Sequence, residues 1–459
     1  MSDIGVIGLG VMGKNIAKNM LNNGYKVSGY NNTYDRTQEL MAENIPAFRG
    51  FEKIEDFVNS LSVPRKIFMM VPAGAPVDSV IDELIPLLDK GDIVMDGGNS
   101  FFKDTNAREE KLNKLGINFF GVGVSGGSEG ALKGPSIMPG GDKESYGYVG
   151  EILESIAAKY NGEACCKYIG PKGSGHYVKM VHNGIEYADM QLLAEVYLIL
   201  KNNGYSNREI AEILDEWNKT EVESYLVSIT SIVLKEKDSK SDEDLIDIIV
   251  DVAGNKGTGR WTSIEALSQE YNASLLAAAY QARINSNEFE LRELLNGKIS
   301  VGTGEKLDIE VIRKAYSLGK TLAFAQGFGL YKNASDRYDW NLNLKDIASV
   351  FRAGCIIQAR LLQDIMSAYE EGTNNILTLP VFKKQVVDNS ADLRSVVVEG
   401  LKAGLPLPVF TNALIYIDSL SADLLGANII QGQRDYFGAH TFQRKGAEGF
   451  EHHDWGASE

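Results

Sequence analysis

Asp3-Ile4-Gly5-Val6-Ile7-Gly8-Leu9-Gly10-Val11-Met12-Gly13 joins an aliphatic strand to the spacing G-x-G-x-x-G, and an amphipathic stretch at 15–22 follows directly. In that setting the glycines make a tight turn, let backbone approach a pyrophosphate, and leave a helix N-terminus facing the negative charge. Downstream, short aliphatic runs at 27–30, 66–71, 93–96 and 118–121 read as further strands, and 77–88 reads as a helix between them. The alternation predicts a parallel sheet with helices on both faces, an α/β Rossmann-like N-terminal domain over residues 1–174. From 175 to 430 the strand signals give way to long helical patterns, so a large all-α domain is expected there. Residues 431–459 form a C-terminal tail, polar and low in apolar periodicity. They read either as a disordered segment or, because Tyr436 and Phe437 sit among ionisable groups, as a folded arm.

The totals narrow the class. A chain of 459 residues with 44% hydrophobic and 24% charged residues has the composition of a soluble globular protein. A net charge of −16 disfavours nucleic acid and anionic membranes as partners. An anionic ligand would need a local basic cluster set against that field. No apolar run is long enough to span a bilayer, and no leader is expected. Three cysteines, two of them adjacent (Cys165, Cys166), provide neither a disulfide framework nor C-x-x-C metal spacing. A reducing, cytoplasmic setting is expected.

The second informative run is Gly173-Ser174-Gly175-His176-Tyr177-Val178-Lys179-Met180-Val181-His182-Asn183-Gly184-Ile185-Glu186-Tyr187. At about 100° per residue, Lys179, His182, Asn183, Glu186 and Tyr187 fall within an arc of roughly 140° on one helix face. Those spacings normally carry an apolar stripe. Val181, Ile185, Ala188 and Leu192 make the opposite side apolar, and Met190, Leu193 and Ala194 continue the polar face as an apolar one. A helix this hydrophobic is expected to be buried, so its polar stripe lines a pocket; a solvated helix face is the alternative. Two Gly-rich turns follow predicted strands: Asp96-Gly97-Gly98-Asn99-Ser100 and Gly121-Val122-Gly123-Val124-Ser125-Gly126-Gly127. They fall at strand carboxyl ends, where open α/β sheets bind ligands. The second strand runs into Asn31-Asn32-Thr33 without the acidic residue that reads an unphosphorylated adenosine ribose. With Arg36 supplying charge, these side chains suit a 2′-phosphate and favour NADP, while Asp35 beside Arg36 keeps NAD open.

The Gly8–Gly13 turn, Val124-Ser125-Gly126-Gly127 and Gly173-x-Gly175-x-x-x-Lys179-x-x-x-Asn183 together resemble the β-hydroxyacid dehydrogenases. Three further runs look like the decarboxylating 6-phosphogluconate dehydrogenases: Lys179 to Tyr187, Gly254-Asn255-Lys256-Gly257-Thr258-Gly259, and Gln433-Arg434-Asp435-Tyr436-Phe437-Gly438-Ala439-His440. The resemblance covers essentially the whole chain. It implies oxidation and decarboxylation of 6-phospho-D-gluconate to D-ribulose 5-phosphate, a pentose phosphate step, by a homodimer whose tails reach the neighbouring subunit. It also implies substrate contacts from Asn99, Ser125, Gly126, Gly127, Lys179, His182, Asn183, Glu186, Tyr187, Lys256 and Arg283, joined by Arg434 and His440 from the second subunit. Cofactor contacts are expected from Gly8, Leu9, Gly10, Val11, Met12, Gly13, Asn31, Asn32, Thr33, Arg36, Val71, Pro72, Ala73 and Asn99. The chain departs from that family at Asn32, where an Arg is usual, at Ser128, where a Glu is common, and at Pro72, where Lys or Gln is common.

Chemistry assigns roles within this set. Oxidising a secondary alcohol needs a base, and a buried Lys179 kept neutral can serve. Once C3 is a ketone, the C1 carboxylate is β to a carbonyl and can leave as carbon dioxide, with a cation or donor at the ketone oxygen stabilising the enolate. The resulting enediol needs a proton at its own C1, the carbon that lost the carboxylate, and Glu186, two turns along the same face, can give it. Lys256, Arg283 and Arg434 are the phosphate candidates. No cluster of Asp ligands is visible, so a metal-independent reaction is expected. Two rival readings remain: a non-decarboxylating dehydrogenase of a smaller 3-hydroxy acid, and a non-catalytic nucleotide-binding protein.

Overall fold

The computed structural model of the chain describes residues 1–255 and 257–456. Seven strands, β1 (Ile4–Ile7), β2 (Val27–Tyr30), β3 (Phe48–Phe51), β4 (Lys66–Met69), β5 (Ile93–Asp96), β6 (Asn118–Ser125) and β7 (Ser136–Gly141), form one sheet in the order β3-β2-β1-β4-β5-β6-β7. The first six are parallel, in register Ile4 with Val27 and Gly5 with Ile67, for example. The seventh is antiparallel to β6, which corrects the expectation of a purely parallel sheet. All five strands read from the sequence are present; β4 stops at Met69 and β6 runs on to Ser125, because β7 pairs along its whole length. Two strands of this sheet escape the sequence reading. β3 is an edge strand that buries only Phe48 fully. The other, β7, carries Pro139 and two glycines, which read as a loop; the proline, lacking an N–H, is tolerated because β7 is an edge.

Helices cover both faces. α1 (Val11–Asn22) buries Ile16, Ala17 and Met20 against Ile4, Val6 and Val27. The other face buries Ile7, Phe57, Ile67 and Val77. Each fully buried aliphatic side chain contributes about 1.5–3 kcal/mol. α2 (Phe102–Asn113) follows β5 and presents Asn106, whose Oδ1 accepts from Gly173 N at 2.7 Å and fixes the entry to the next long helix.

That helix is α3 (Ser174–Asn202), followed by α4 (Thr258–Ser268), α5 (Ser274–Ser286), α6 (Ile309–Tyr338) and α7 (Pro380–Lys402). The helices α3 and α6 pack on each other in the helical layer. A buried ion pair joins them: Lys320 Nζ lies 3.0 Å from Asp189 Oδ2, and Tyr316 OH donates to Asp189 Oδ1 at 2.7 Å. The first turns of α3 also lie directly on β6 and β7. A Cβ on Gly123 of β6 would sit 2.5 Å from Lys179 Cβ, so only glycine lets this helix approach the sheet.

The chain forms two compact units, Met1–Ala413 and one beginning at Leu414, with helix Pro408–Ser421 running through the division. The second unit contains α8 (Ala427–Gly438) and a short antiparallel pairing of Phe442 with Glu451. Its folded character answers the alternative left open for the tail, through one buried carboxylate. Asp435 accepts from Thr441 N (2.9 Å), His452 Nδ1 (2.9 Å), His453 N (3.0 Å) and Trp455 Nε1 (2.8 Å). Burial alone would raise its pKa; these donors instead hold it well below the usual carboxylate range.

Candidate active site

At the carboxyl end of β1 the chain turns into α1 at Gly8, where φ is +90° and a Cβ would meet Met70 O at 2.5 Å. A Cβ on Gly13 would collide with Gly8 O, while one on Gly10 would have open space around it. The two outer glycines are therefore needed by the turn itself, and the middle one leaves a bare backbone approach to the first N–H groups of α1. That helix has no acidic residue in its first turn, as an anion site at its N-terminus requires. Asn31 is committed to the fold: its Oδ1 accepts from Leu9 N at 2.9 Å and its Nδ2 donates to Thr33 O at 3.0 Å. Asn32, Thr33 and Arg36 are exposed at the same edge. Val71, Pro72 and Ala73 follow β4; Val71 Cγ1 would lie 3.1 Å from a Cβ on Gly8, which places this loop against the turn. Asn99 is exposed in the loop after β5, held by Asp96, which accepts from Gly98 N (2.9 Å) and Ser100 Oγ (2.6 Å). The cradle suits a dinucleotide.

Across the sheet edge, the expected stripe on α3 is assembled and dry. Lys179, His182 and Asn183 are 7%, 0% and 8% exposed, and the Glu186 side chain 21%. Lys179 Nζ donates to Asn183 Oδ1 at 2.8 Å and lies 3.4 Å from His182 Nδ1; Glu186 Oε2 lies 3.7 Å from that same ring nitrogen. The amine and the carboxylate thus flank one atom in one crevice, and the solvated-face alternative does not hold. Burial lowers the Lys179 pKa, with Glu186 and Cys355 pulling it back up. Burial, with Lys179 adding to it, pushes the His182 pKa well below its ordinary value, so the ring is neutral. Ser125, at the end of β6, stands 3.1 Å from His182 Nε2; Gly126 and Gly127 follow at the start of the short helix Gly127–Lys133.

Tyr187 is buried and faces Arg283 of α5, whose guanidinium lies 3.4 Å from the ring centroid. Arg283 Nη1 donates to Gly254 O at 3.1 Å. Burial lowers the Arg283 pKa, and Tyr187 and Glu186 raise it. The other candidate cation from that run, Lys256, lies outside the described residues. Arg434 is exposed on α8, donating to Gln431 Oε1 at 3.0 Å, and His440 sits edge-on to Phe437 with ring centroids 5.9 Å apart.

His176 faces away from the stripe: it is buried between Thr105 Oγ1 (2.7 Å) and Asp96 O (3.0 Å), tying α3 to the sheet. Met190 and Ala194, expected to continue the face as a buried apolar stripe, are exposed, and Met190 Sδ lies 3.4 Å from Arg283 Nη2. Two site residues are absent from the sequence reading: Thr258, whose Oγ1 accepts from Asn183 Nδ2 at 3.1 Å, and Cys355, whose Sγ is 2.9 Å from His182 Nε2. Thr258 sits in the quoted Gly254–Gly259 run and was legible there; a lone cysteine in the loop at 351–360 carries no local signal. Among the described residues no group of three or more His, Cys, Asp or Glu side chains is gathered to hold a metal ion. No helix among them is long and apolar enough to cross a membrane.

Residues 3–170 match the family model of the NAD binding domain of 6-phosphogluconate dehydrogenase, and residues 175–455 match that of its C-terminal domain. A decarboxylating 6-phosphogluconate dehydrogenase of Bacillus licheniformis is 47% identical, over 98% of this chain and 99% of the relative. Bacillus subtilis (strain 168) has two such relatives, each 48% identical: one NAD(+)-dependent, covering 99% of each chain, and one NADP(+)-dependent, covering 98% of each. Among solved structures, the 6-phosphogluconate dehydrogenase of Plasmodium falciparum, described in apo form and in complexes with NADP+ and with 6-phosphogluconate, superposes with a TM-score of 0.94. It is 38% identical, covering 99% of this chain and 100% of that one.

Proposed function

Since this chain belongs to the 6-phosphogluconate dehydrogenase family, we propose that it oxidises 6-phospho-D-gluconate at C3, expels the C1 carboxylate as carbon dioxide and releases D-ribulose 5-phosphate. The observation that carries this reading is the pair of buried Lys179 and half-buried Glu186 flanking His182 Nδ1. Full-length correspondence, together with Arg283 held over Tyr187 as a phosphate partner, favours it over a non-decarboxylating dehydrogenase of a smaller 3-hydroxy acid.

The cofactor is NADP, with NAD as the competing choice; when bound, its nicotinamide supplies the hydride acceptor. The Gly8–Gly13 turn and the α1 N-terminus would hold the pyrophosphate, and Arg36 would hold the 2′-phosphate that Asn32, in the place of the usual Arg, cannot charge-pair. Val71, Pro72, Ala73 and Asn99 would border the rest.

Neutral Lys179 takes the C3 hydroxyl proton. As an ammonium it then faces the ketone oxygen and stabilises the charge that develops there as the carboxylate leaves. The Lys179 ammonium gives its proton to that oxygen, forming the enediol, and takes it back as Glu186 delivers a proton to the carbon that lost the carboxylate, C1 of ribulose 5-phosphate. His182, Asn183 and Ser125, with the Gly126 and Gly127 backbone, hold the sugar-acid oxygens, and Tyr187, Lys256 and Arg283 the phosphate end. In a homodimer, Arg434 and His440 from the neighbouring tail complete that end. No step calls for a metal ion. Purified protein given 6-phosphogluconate and NADP in a chelator should release carbon dioxide and form NADPH in equal amounts. Nicotinamide reduction without carbon dioxide would refute the decarboxylation. Comparing kcat/KM with each nicotinamide tests the cofactor assignment, with NADP expected to exceed NAD.

A further inference from the structure

His182 is neutral and carries a single N–H, and its surroundings select which nitrogen holds it. Nδ1 faces two acceptors, Asn183 Oδ1 at 3.0 Å and Glu186 Oε2 at 3.7 Å, and the Lys179 amine at 3.4 Å. The Asn183 amide is oriented with its oxygen inward because Lys179 Nζ donates to it, while its Nδ2 donates to Thr258. Nε2 faces two groups that can donate to it, the Cys355 thiol at 2.9 Å and, farther off, the Ser125 hydroxyl at 3.1 Å, which can equally accept. The loop carrying Cys355 is anchored by glycines. A Cβ on Gly126 would meet Gly354 O at 2.7 Å, and Ser136 N donates to Gly354 O at 2.8 Å. Ile356 N reaches Ser125 Oγ at 3.4 Å, drawing the same loop onto the end of β6.

We infer that Cys355 is a positioning residue: its thiol donates to His182 Nε2 and holds the imidazole proton on Nδ1, so that the ring offers Lys179 no acceptor. Burial pushes the Cys355 thiol up to about 12, so it stays a donor at any working pH. In the opposite tautomer the Nδ1 lone pair, 3.4 Å from Lys179 Nζ, would accept from the ammonium and stabilise it. Fixing the tautomer therefore keeps the amine poised to start neutral. Among the described residues, the titratable groups facing Lys179 are His182 and Glu186 on its own helix and Cys355 on the loop; Asn183 and Ser125 do not titrate. The inference rests on the reading of Lys179 as the base, and the experiment separates the two.

The full-length protein labelled with 15N-histidine has five histidines to resolve, with His182 assigned by loss of its signals in His182→Gln. Long-range proton–nitrogen correlations should show a protonated Nδ1 and a bare Nε2 in the wild type and in Cys355→Ser, which keeps a donor. In Cys355→Ala the proton should shift toward Nε2, free to donate to Ser125. The acid limb of kcat/KM for 6-phosphogluconate, measured with NADP, should then move up by about one pH unit, tenfold at pH values below the limb, and stay in place in Cys355→Ser. A His182 ring that keeps its tautomer in Cys355→Ala overturns the inference whatever the kinetics do. A ring that switches while the limb stays in place upholds the tautomer assignment and overturns Lys179 as the group titrating in that limb.

Discussion

Gly123→Ala tests how the catalytic amine is placed without touching any reacting group. The new methyl would start 2.5 Å from Lys179 Cβ and 3.1 Å from Gly175 O, where ordinary contact begins at 3.4 Å. Relief requires α3 or β6 to give by about 1 Å, and a displacement of that size at a reacting group costs about 10²-fold in rate. Overpacking a site of this kind destabilises by about 1–3 kcal/mol. The β1–α1 turn lies three strands away in the sheet, beyond β5 and β4, so cofactor affinity should stay within about twofold. Steady-state kinetics on 6-phosphogluconate, nicotinamide binding by fluorescence and a urea unfolding curve would report the three quantities separately. A variant with wild-type kcat would show that the approach of α3 to β6 does not set the position of Lys179. A variant that loses cofactor binding in step with kcat would show a general collapse of the sheet edge instead.

Glu186→Gln should slow the return of the proton to C1 more than the oxidation; in D2O, wild type should place one deuteron at C1 of ribulose 5-phosphate and the variant should release carbon dioxide faster than it completes that product. Arg434→Ala should raise KM for 6-phosphogluconate about tenfold or more with a smaller effect on kcat, as expected for a lost phosphate partner; an unaltered KM would remove the tail from the phosphate end. Glu109, buried on α2, has its carboxyl pushed up by burial to about 7, with Lys172 pulling it down. The folded state therefore binds this proton more tightly than the unfolded chain, and its contribution is fully present below about pH 4.3 and lost as pH rises through 7. Glu109→Gln should flatten that part of the urea-midpoint profile; an unchanged slope between pH 4.5 and 7 would remove Glu109 as its source.

What could be read from the sequence was local. The strand–turn–helix at Gly8–Gly13 and the stripe on α3 are each set by neighbours within a few turns, and both stand in the structure where periodicity placed them. Where a partner came from far along the chain, the signal failed. Cys355 meets His182 across 173 residues, and Asp435 gathers donors from a loop closed by the pairing of Phe442 with Glu451. The strand β7 was hidden because its proline and glycines fit an edge as well as a loop. Met190 misled because a thioether on a polar face can cover a guanidinium while remaining exposed.

The central claim is that one buried amine starts the reaction as its base. The decisive measurement is turnover of 6-phosphogluconate by Lys179→Ala, with NADP binding followed in parallel. Loss of about 10³-fold or more in kcat with cofactor affinity retained is the result the account predicts. Turnover within a few-fold of wild type would contradict it.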